Sequence, residues 1–323
     1  MNWHILSFAE SVGCLSGEGM CGRYASTRKR IELLEEFSVQ RDMVAEPLKP
    51  DYNVAPTKPV YAVLDRVESA SAEPRLRDGV DSRDDAARAQ SRDRAAAGQA
   101  ERELRIVRWG LVPFWAKDVK IGSRMINARA ETLAEKPAFR RAFAKRRCLL
   151  PADGYYEWQP QPGAAKQPIY ISRADGRSLA LAGLYELWRD PAVGRDDEDS
   201  WLWTATVITT SAPDELGMIH DRMPMIIDPA AWADWLDPAN SDVADVRALL
   251  TPAAVGGLIT YPVSTEVNSV RNNGPQLIEQ IDPGSVAPLT DRGAADLRVG
   301  AAAGPHAGSA ERGGDGTGVL WSA

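Results

Sequence analysis

The chain has 323 residues, of which 44% are hydrophobic, so it can bury a sizeable core and its length permits even two domains. The formal net charge of -7 argues against a protein that coats nucleic acid non-specifically, so any nucleic-acid site must be a local basic patch. The three unevenly spaced cysteines give neither a disulfide framework nor a zinc motif, and no apolar run suits a membrane span, so we expect a cytoplasmic protein without a metal site.

The first predicted element is a helix over residues 28–38. Its apolar positions are Ile31, Leu33, Leu34 and Phe37. A strand is predicted over 60–64. Residues 66–104 are rich in Arg, Asp, Ala, Ser and Glu with hardly any large apolar residue, which predicts a disordered insertion. Order resumes over 104–116 with an apolar strand and an aromatic turn.

The second half of the chain is predicted to be mostly β-structure. A helix over 135–145 comes first, with Ala138, Phe139, Ala142 and Phe143 towards the core and Arg140, Arg141 and Lys145 outward. Strands are then predicted within 147–159, 169–173, 178–188, 201–212 and 257–264, with one helix over 229–237. Residues 282–323 are predicted to form a disordered tail. Because no βαβ alternation is present, the pattern favours an α+β fold with a barrel-like sheet over a doubly wound one.

Four polar residues stand in apolar or aromatic surroundings and are candidates for chemistry. They are Cys21 in MCGRY, Asn127 in INARAET, Glu157 in ADGYYEW and His220 in IHDRMP. Each also has a purely structural interpretation: a buried hydrophobe for the cysteine, a turn cap for the asparagine, an Arg-paired carboxylate, and a hydrogen-bond hub for the histidine. No single one of them decides the function.

Cys21 differs from an internal cysteine because it directly follows Met20. If translation starts at Met20, removal of that methionine leaves a 1,2-aminothiol, whose amine can form an imine with an aldehyde while the thiol closes a five-membered thiazolidine. An α-amine has a pKa of about 8, so a useful fraction is unprotonated near neutrality. The preceding Ser-Gly-Glu-Gly has the purine-rich codons of a ribosome-binding site. We therefore expect residues 1–19 to be a misassigned or removed extension.

Seven motifs then follow in an order that resembles the SOS response-associated peptidase (SRAP) family, which is also known for abasic-site crosslinking proteins. They are MCGRY, YNVAPT, RWGLVPFWA, INARAET, the run from PAFRRAF to GYYEW, the run from TTSA to IHDRMPMII, and PVSTEVNSVRNNGPQLI. The resemblance covers residues 20–281 apart from the insertion. It implies a single α+β domain with a mostly antiparallel, barrel-like β core, short flanking helices and a positively charged cleft for single-stranded DNA.

The resemblance also implies roles for particular residues. Cys21 forms a thiazolidine with the ring-opened abasic sugar, Asn127 orients the reacting groups, Glu157 is the acid and base, and His220 assists ring opening. The implied DNA-binding set is Arg23, Arg129 and Arg222 for phosphates, Pro56, Trp115 and Trp158 for nucleotide packing, and Asn53 in the YNVAPT loop. The expected partner is single-stranded DNA that contains abasic sites. No cofactor, metal or membrane is expected, and the protein is expected to be a cytoplasmic monomer that joins the nucleoid on damaged DNA.

Two other functions remain open from the sequence. One is a thiol peptidase, including one that removes its own extension, with Cys21 as nucleophile and His220 or Glu157 as base. This activity needs no free α-amine. The other is a non-covalent single-stranded DNA-binding module that uses only the Trp and Arg surface. Replacement of Cys21 by Ala would leave the binding of such a module intact.

Overall fold

A computed structural model describes residues 21–67, 100–193, 200–251 and 257–282 of the chain. The expected extension 1–19, the expected tail beyond 282 and most of the expected insertion lie outside the described residues. The strands are β1 Tyr24–Ser26, β2 Arg41–Asp42, β3 Asp51–Val54, β4 Pro59–Val67, β5 Ala100–Trp109, β6 Asn127–Arg129, β7 Arg147–Ala152, β8 Gly154–Gln161, β9 Ala164–Arg173, β10 Leu179–Arg189, β11 Trp201–Ser211, β12 Arg222–Pro224 and β13 Leu258–Pro262. The α-helices are α1 Arg30–Glu36, α2 Arg140–Lys145, α3 Asp214–Gly217, α4 Trp232–Leu236 and α5 Val243–Ala248. Short 3-10 helices cover Val119–Arg124, Ala130–Thr132, Pro229–Ala231, Thr265–Asn268 and Pro275–Ile278.

Five strands of the larger sheet close into a barrel. β11, β10, β7, β4 and β5 are hydrogen-bonded in that order, and β5 also pairs with β11. The first four contacts are antiparallel, whereas the closing contact is parallel and places Ala205 opposite Trp109. β12 and β6 pair with β11, and β2 pairs with β5. This architecture confirms the predicted α+β fold with a mostly antiparallel, barrel-like core and short helices.

β10 shows why the barrel strands are almost continuously apolar. Leu181 and Tyr185 face one hydrophobic cluster with the other inward residues of the barrel. Ala182 and Leu184 point the opposite way, into a second cluster that the helices cover. Because both faces of the strand are buried, its sequence lacks the polar alternation of a surface strand.

The smaller sheet has the order β13-β9-β8-β1-β3 and contains β1, the first strand of the described residues. In the antiparallel pair of β1 and β8, Tyr24 lies opposite Tyr155, and both rings belong to the same hydrophobic cluster as the barrel interior. The pairing continues beyond the strand, because Tyr156 N–H donates to the Arg23 carbonyl at 3.0 Å. This register brings the residue after Tyr156 beside the residues that precede β1.

Two predictions about the helices need correction. Ile31 is 65% exposed, whereas Leu33 and Phe37 of the same helix are buried, because the latter two are four residues apart and share one face. The helix predicted over 135–145 begins only at Arg140, after turns that contain Pro137.

No helix in the described ranges is both long and apolar enough to cross a membrane.

The insertion predicted over 66–104 is shorter at both ends. Arg66 and Val67 complete β4, and residues 100–104 begin β5, with Val67 opposite Ala100. These strand ends are polar because their side chains pair with one another. Arg102 Nε lies 2.8 Å from Asp65 Oδ1, and nearly buried Glu103 accepts from Arg105 Nε at 2.6 Å. Composition alone does not distinguish such ion-paired strand ends from a disordered segment.

Candidate active site

Cys21 lies three residues before β1 and is almost fully buried, with 4% of its surface exposed. Its Sγ is 3.8 Å from the backbone carbonyl oxygen of Arg222, which lies in β12. Burial, and next the negative charge of Glu157, raise the pKa of the Cys21 thiol well above its ordinary value. The thiol is therefore held in its protonated form at neutral pH.

Asn127 fixes the main chain of Cys21. It begins β6, whose parallel pairing with β11 places Asn127 opposite Val207. The side chain is nearly buried, and its Nδ2 donates to the Cys21 carbonyl oxygen at 2.9 Å. Within the described part of the chain, the buried Oδ1 of Asn127 has no hydrogen-bond partner. One side of the amide thus holds Cys21, and the other side is an unused acceptor.

Glu157 lies in β8 and is 4% exposed. Its pKa is raised from 4.5 to about 7, and burial is the main cause. The negative charge of Asp221 raises the pKa further, whereas a hydrogen bond with Cys21 and the positive charge of Lys166 lower it. Its Oε1 atom is buried and has no partner among the described residues. A carboxyl group whose pKa is near 7 can both give and accept a proton at physiological pH.

His220 follows α3, and its ring orientation is set by the next two residues. Its Nδ1 lies 3.0 Å from the backbone nitrogen of Arg222, 3.2 Å from the Arg222 carbonyl oxygen and 3.1 Å from Asp221 Oδ1. One of these contacts is a donor and two are acceptors, so they hold the ring whether or not Nδ1 carries a proton. Within the described residues Nε2 has no hydrogen bond, and it is the ring nitrogen available for proton transfer.

These four residues form one connected group around Cys21. Asn127 holds the Cys21 carbonyl, Glu157 interacts with the thiol, and the backbone of Arg222 contacts both the thiol and the imidazole of His220. The described residues include no cluster of His, Cys, Asp or Glu that could hold a metal ion. The group offers a thiol, two unused acceptors and two groups that can transfer protons.

Arg222 and Arg129 lie in β12 and β6, which both pair with the last residues of β11. Arg129 is exposed and lies opposite Thr209 of β11. The guanidinium of Arg222 is mostly covered and forms a bidentate pair with Glu131, at 2.6 and 3.1 Å. Its Nη2 also donates to the Thr209 carbonyl at 2.7 Å.

Asn53 was predicted to contact DNA, but its side chain lies inside the protein and not on the surface. It is fully buried, and its Nδ2 donates to the carbonyls of Val267, Ser269 and Asn272. Its Oδ1 accepts from Arg23 Nη1 at 2.7 Å. Because these bonds use both ends of the amide, Asn53 supports the loop over residues 265–273 and orients Arg23 instead of presenting a polar group to DNA.

Arg23 and Trp158 lie together at the outer side of this loop. The Arg23 guanidinium is 5.7 Å from the Trp158 ring centroid, and Trp158 Nε1 donates to Asn268 Oδ1 at 2.7 Å. Both side chains remain partly exposed. The contact forms a flat surface that combines an aromatic face with a positive charge.

Pro56 and Trp115 also reach the surface, at separate turns. Pro56 is half-buried in a turn that Lys58 N–H closes on the Ala55 carbonyl. The next residue, Thr57, has a φ of 72°, a left-handed conformation that is strained for a β-branched side chain. Trp115 is 51% exposed in the aromatic turn after β5.

The comparisons with known proteins agree on one family. The model of the family described as SOS response associated peptidase (SRAP) matches residues 20–270. The chain belongs to the SRAP family. The abasic site processing protein YoqW of Bacillus subtilis is 36% identical to this SRAP chain over 260 residues, which span 80% of the chain and 99% of that relative. The abasic site processing protein HMCES of Gallus gallus is 36% identical over 211 residues, which span 58% of the chain and 60% of that protein.

Solved structures have the same fold. A crystal structure of a protein from Bacteroides thetaiotaomicron has a TM-score of 0.61 and 26% identity, and the match covers 81% of this SRAP chain and all of that chain. A protein from Bordetella bronchiseptica has a TM-score of 0.54 and 24% identity, with 76% and 100% coverage, and shows the fold alone.

Sequence reasoning missed three residues of the SRAP site. Glu131, which pairs with Arg222, lies inside the INARAET motif but looks like an ordinary surface carboxylate. Thr209 contributes a backbone carbonyl, which no side-chain pattern reveals. Asn268 supports Trp158 from a loop that the sequence resemblance marks only as part of a longer motif.

Proposed function

We propose that this SRAP protein processes abasic sites in single-stranded DNA by forming a covalent thiazolidine through Cys21 as its first residue. The observation that carries the proposal is the pair of unused buried acceptors, Asn127 Oδ1 and Glu157 Oε1, in the group that surrounds Cys21. Buried polar atoms normally have partners, so two unpaired acceptors beside one thiol mark a place where donor groups bind. The names of the relatives support the class of DNA lesion.

The abasic sugar must first open. It is a closed hemiacetal in which C1′ carries a hydroxyl and is joined to O4′. In the proposed step, Nε2 of His220 takes the proton of the C1′ hydroxyl, the C1′–O4′ bond breaks, and the same proton passes from Nε2 to O4′. The imidazole ends the step as it began, and its Nδ1 stays in contact with Arg222 and Asp221 throughout.

The aldehyde then reacts with Cys21 in two steps. The α-amine adds to C1′, and the resulting hydroxyl leaves as water after it receives a proton from Glu157. The Cys21 sulfur then adds to the imine carbon, and the thiol proton passes through Glu157 to the imine nitrogen. The net change is one C–N bond, one C–S bond and one released water. A pKa of about 7 lets Glu157 give and regain this proton.

The mechanism requires a free amine on Cys21. A peptide nitrogen cannot form the imine, so the reactive form begins at Cys21 after removal of the residues before it. Asn127 is placed to orient this amine, because its Nδ2 already holds the Cys21 carbonyl and its Oδ1 can accept an N–H. Arg23, Arg129 and Arg222 are the proposed phosphate contacts, and Pro56, Trp115 and Trp158 the proposed packing surfaces. A monomeric state and a cytoplasmic location remain predictions.

The peptidase alternative receives less support from the site. A cysteine nucleophile is activated by a lowered pKa, whereas burial and Glu157 raise the pKa of Cys21. The described contacts of His220 Nδ1 are to Arg222 and Asp221 and not to the Cys21 thiol. An autoproteolytic or lyase-like activity therefore remains a secondary proposal.

The test is a denaturing gel with single-stranded DNA that contains one abasic site. Proteins that start at Met1 and at Met20 are compared after mass spectrometry has defined each N-terminus, and Cys148→Ala is the control for thiol loss elsewhere. We expect a heat-stable shifted band only when Cys21 is the first residue, retained in Cys148→Ala and lost in Cys21→Ser. Absence of the band from protein confirmed to begin at Cys21 would refute the crosslink. An unaltered band from protein confirmed to retain residues before Cys21 would refute the aminothiol mechanism.

A further inference from the structure

We infer that Glu131 determines specificity by occupying the phosphate-binding face of Arg222, so that a DNA phosphate must displace it. The inference rests on the proposed function, because it concerns the same DNA strand. Its test measures the non-covalent affinity for undamaged DNA, whereas the test of the proposed function measures the covalent crosslink.

The first observation is that the terminal hydrogens of Arg222 are all engaged. Nη1 donates to Glu131 Oε1 at 2.6 Å and to Ser211 Oγ at 3.4 Å. Nη2 donates to Glu131 Oε2 at 3.1 Å and to the Thr209 carbonyl at 2.7 Å. Each terminal nitrogen has two hydrogens, so no terminal donor is left for a phosphate while Glu131 is bound.

The second observation is that only one partner of Arg222 can leave easily. The Arg222 side chain is 12% exposed, whereas that of Glu131 is 49% exposed. The Thr209 carbonyl belongs to β11 and stays in place when a side chain moves. Departure of Glu131 would therefore leave an oriented guanidinium with two free donors in the fork geometry that suits a phosphate.

Glu131 is close to both arginines proposed to hold phosphates. The hydrogen bond from Arg222 lowers the pKa of Glu131, and the positive charge of exposed Arg129 lowers it too. A fixed negative charge at this position opposes every phosphate, whether or not the strand is damaged. The ion pair therefore weakens retention on undamaged DNA, whereas covalent capture at an abasic site is not limited by that affinity.

The experiment uses the full chain with Cys21→Ala, so that no crosslink can form, and an undamaged oligo(dT) strand as the probe. Fluorescence anisotropy gives the affinity of this background protein and of the same protein with Glu131→Gln. We expect Glu131→Gln to tighten binding about threefold to fivefold, which is the upper part of the range of a partly exposed ion pair. The matched control is Glu35→Gln, which makes the same change of charge on exposed α1 and is expected to leave the affinity within about twofold.

A double-mutant cycle tests whether the effect passes through Arg222. In an Arg222→Gln background, Glu131→Gln should give a clearly smaller gain, because it still removes a negative charge but there is no guanidinium left to release. An equal gain in both backgrounds would mean that Glu131 acts only as a general negative charge, and would overturn the inference. Weaker or unchanged binding of Glu131→Gln alone would overturn it too, because Glu131 would then only hold Arg222 in place.

The salt dependence of DNA affinity gives a second test, which does not need the Arg222→Gln variant to fold. When DNA displaces Glu131 from Arg222, the freed carboxylate attracts a cation from solution. This uptake offsets one of the cations that the DNA strand releases on binding. Glu131→Gln should therefore steepen the slope of log K against log salt by up to about 0.7. An unchanged slope would contradict the displacement. None of these outcomes depends on whether a thiazolidine forms.

Discussion

The side-chain amide of Asn127 donates a hydrogen bond of 2.9 Å to the backbone carbonyl of Cys21. Residues separated by a hundred positions in sequence are joined here because β6 runs parallel to β11 at the edge of the barrel. The bond fixes the carbonyl side of Cys21, and hence the direction in which a terminal amine on the same residue points. Positioning of a nucleophile within a few tenths of an ångström is a large part of catalysis in such sites.

Asn127→Asp is predicted to slow crosslinking without unfolding the protein. The substitution keeps the shape but replaces the Nδ2 donor by an oxygen that faces the Cys21 carbonyl oxygen. We expect the single-turnover rate to fall about 10- to 100-fold, the equivalent of one buried hydrogen bond that becomes unfavourable. The measurement is the time course of the shifted band. Asn240→Asp, in the loop after α4, is the control, and an unchanged rate in Asn127→Asp would contradict the assigned role.

Glu157→Gln is predicted to stabilise the protein at high pH. The pKa of Glu157 is raised in the folded protein from 4.5 to about 7, so the folded state holds a proton that the unfolded state releases. Stability is therefore lost as pH rises from about 4.5 through about 7, and the loss reaches roughly 3 kcal/mol. Glutamine removes this cost. Urea unfolding at pH 5 and pH 8 should show a gain over the unchanged protein only at pH 8; equal differences at both pH values would disprove the raised pKa.

The same residue is predicted to shape the pH dependence of crosslinking. Imine formation needs the unprotonated amine, with a pKa of about 8, and protonated Glu157, whose pKa is about 7. The product of the two fractions gives a rate maximum between these values. In Glu157→Gln the acid is absent, so we expect a lower rate that continues to rise with pH until the amine is fully deprotonated. A maximum that persists in Glu157→Gln would assign the falling limb to another group.

The pattern of apolar residues predicted most of the secondary structure, because it reflects which side chains are buried in the fold. The runs over 147–159, 178–188 and 201–212 became β7 with β8, β10 and β11, since strands covered on both faces need continuous apolar residues. Periodicity did not reveal how the barrel closes. The parallel contact of β5 with β11 joins distant segments, and the sequence holds no local signal of that pairing.

The motifs located Cys21 and the three residues around it. They did not distinguish a residue on the surface from a buried residue that supports it. Asn53 and Arg129 both stand in motifs, yet one is fully buried and the other exposed. An asparagine that bonds three carbonyls has the same one-letter pattern as one that faces a ligand. Only the fold of residues 265–273 around Asn53 distinguishes the two roles.

Asn53→Ala is therefore predicted to act mainly through stability. It removes the Asn53 donor from the carbonyls of Val267, Ser269 and Asn272 and removes an acceptor for Arg23. Loss of this buried network should lower the free energy of unfolding by about 2–4 kcal/mol. DNA affinity should fall as well, because Arg23 and the loop that supports Trp158 are no longer held. Thermal or urea unfolding and anisotropy with oligo(dT) measure the two effects.

Asn273→Ala provides the matched comparison for Asn53. This asparagine lies on the same loop but is exposed. Its side chain accepts from Tyr52 N–H at 2.8 Å and donates to the Pro50 carbonyl at 3.2 Å. Its loss should cost about 1 kcal/mol in total, because each of these exposed hydrogen bonds contributes only about 0.5 kcal/mol. If Asn53→Ala instead keeps its full stability and loses only DNA affinity, Asn53 contacts the strand directly and the loop must open to expose it. If both variants lose stability equally, the buried network of Asn53 is no stronger than the two surface hydrogen bonds of Asn273.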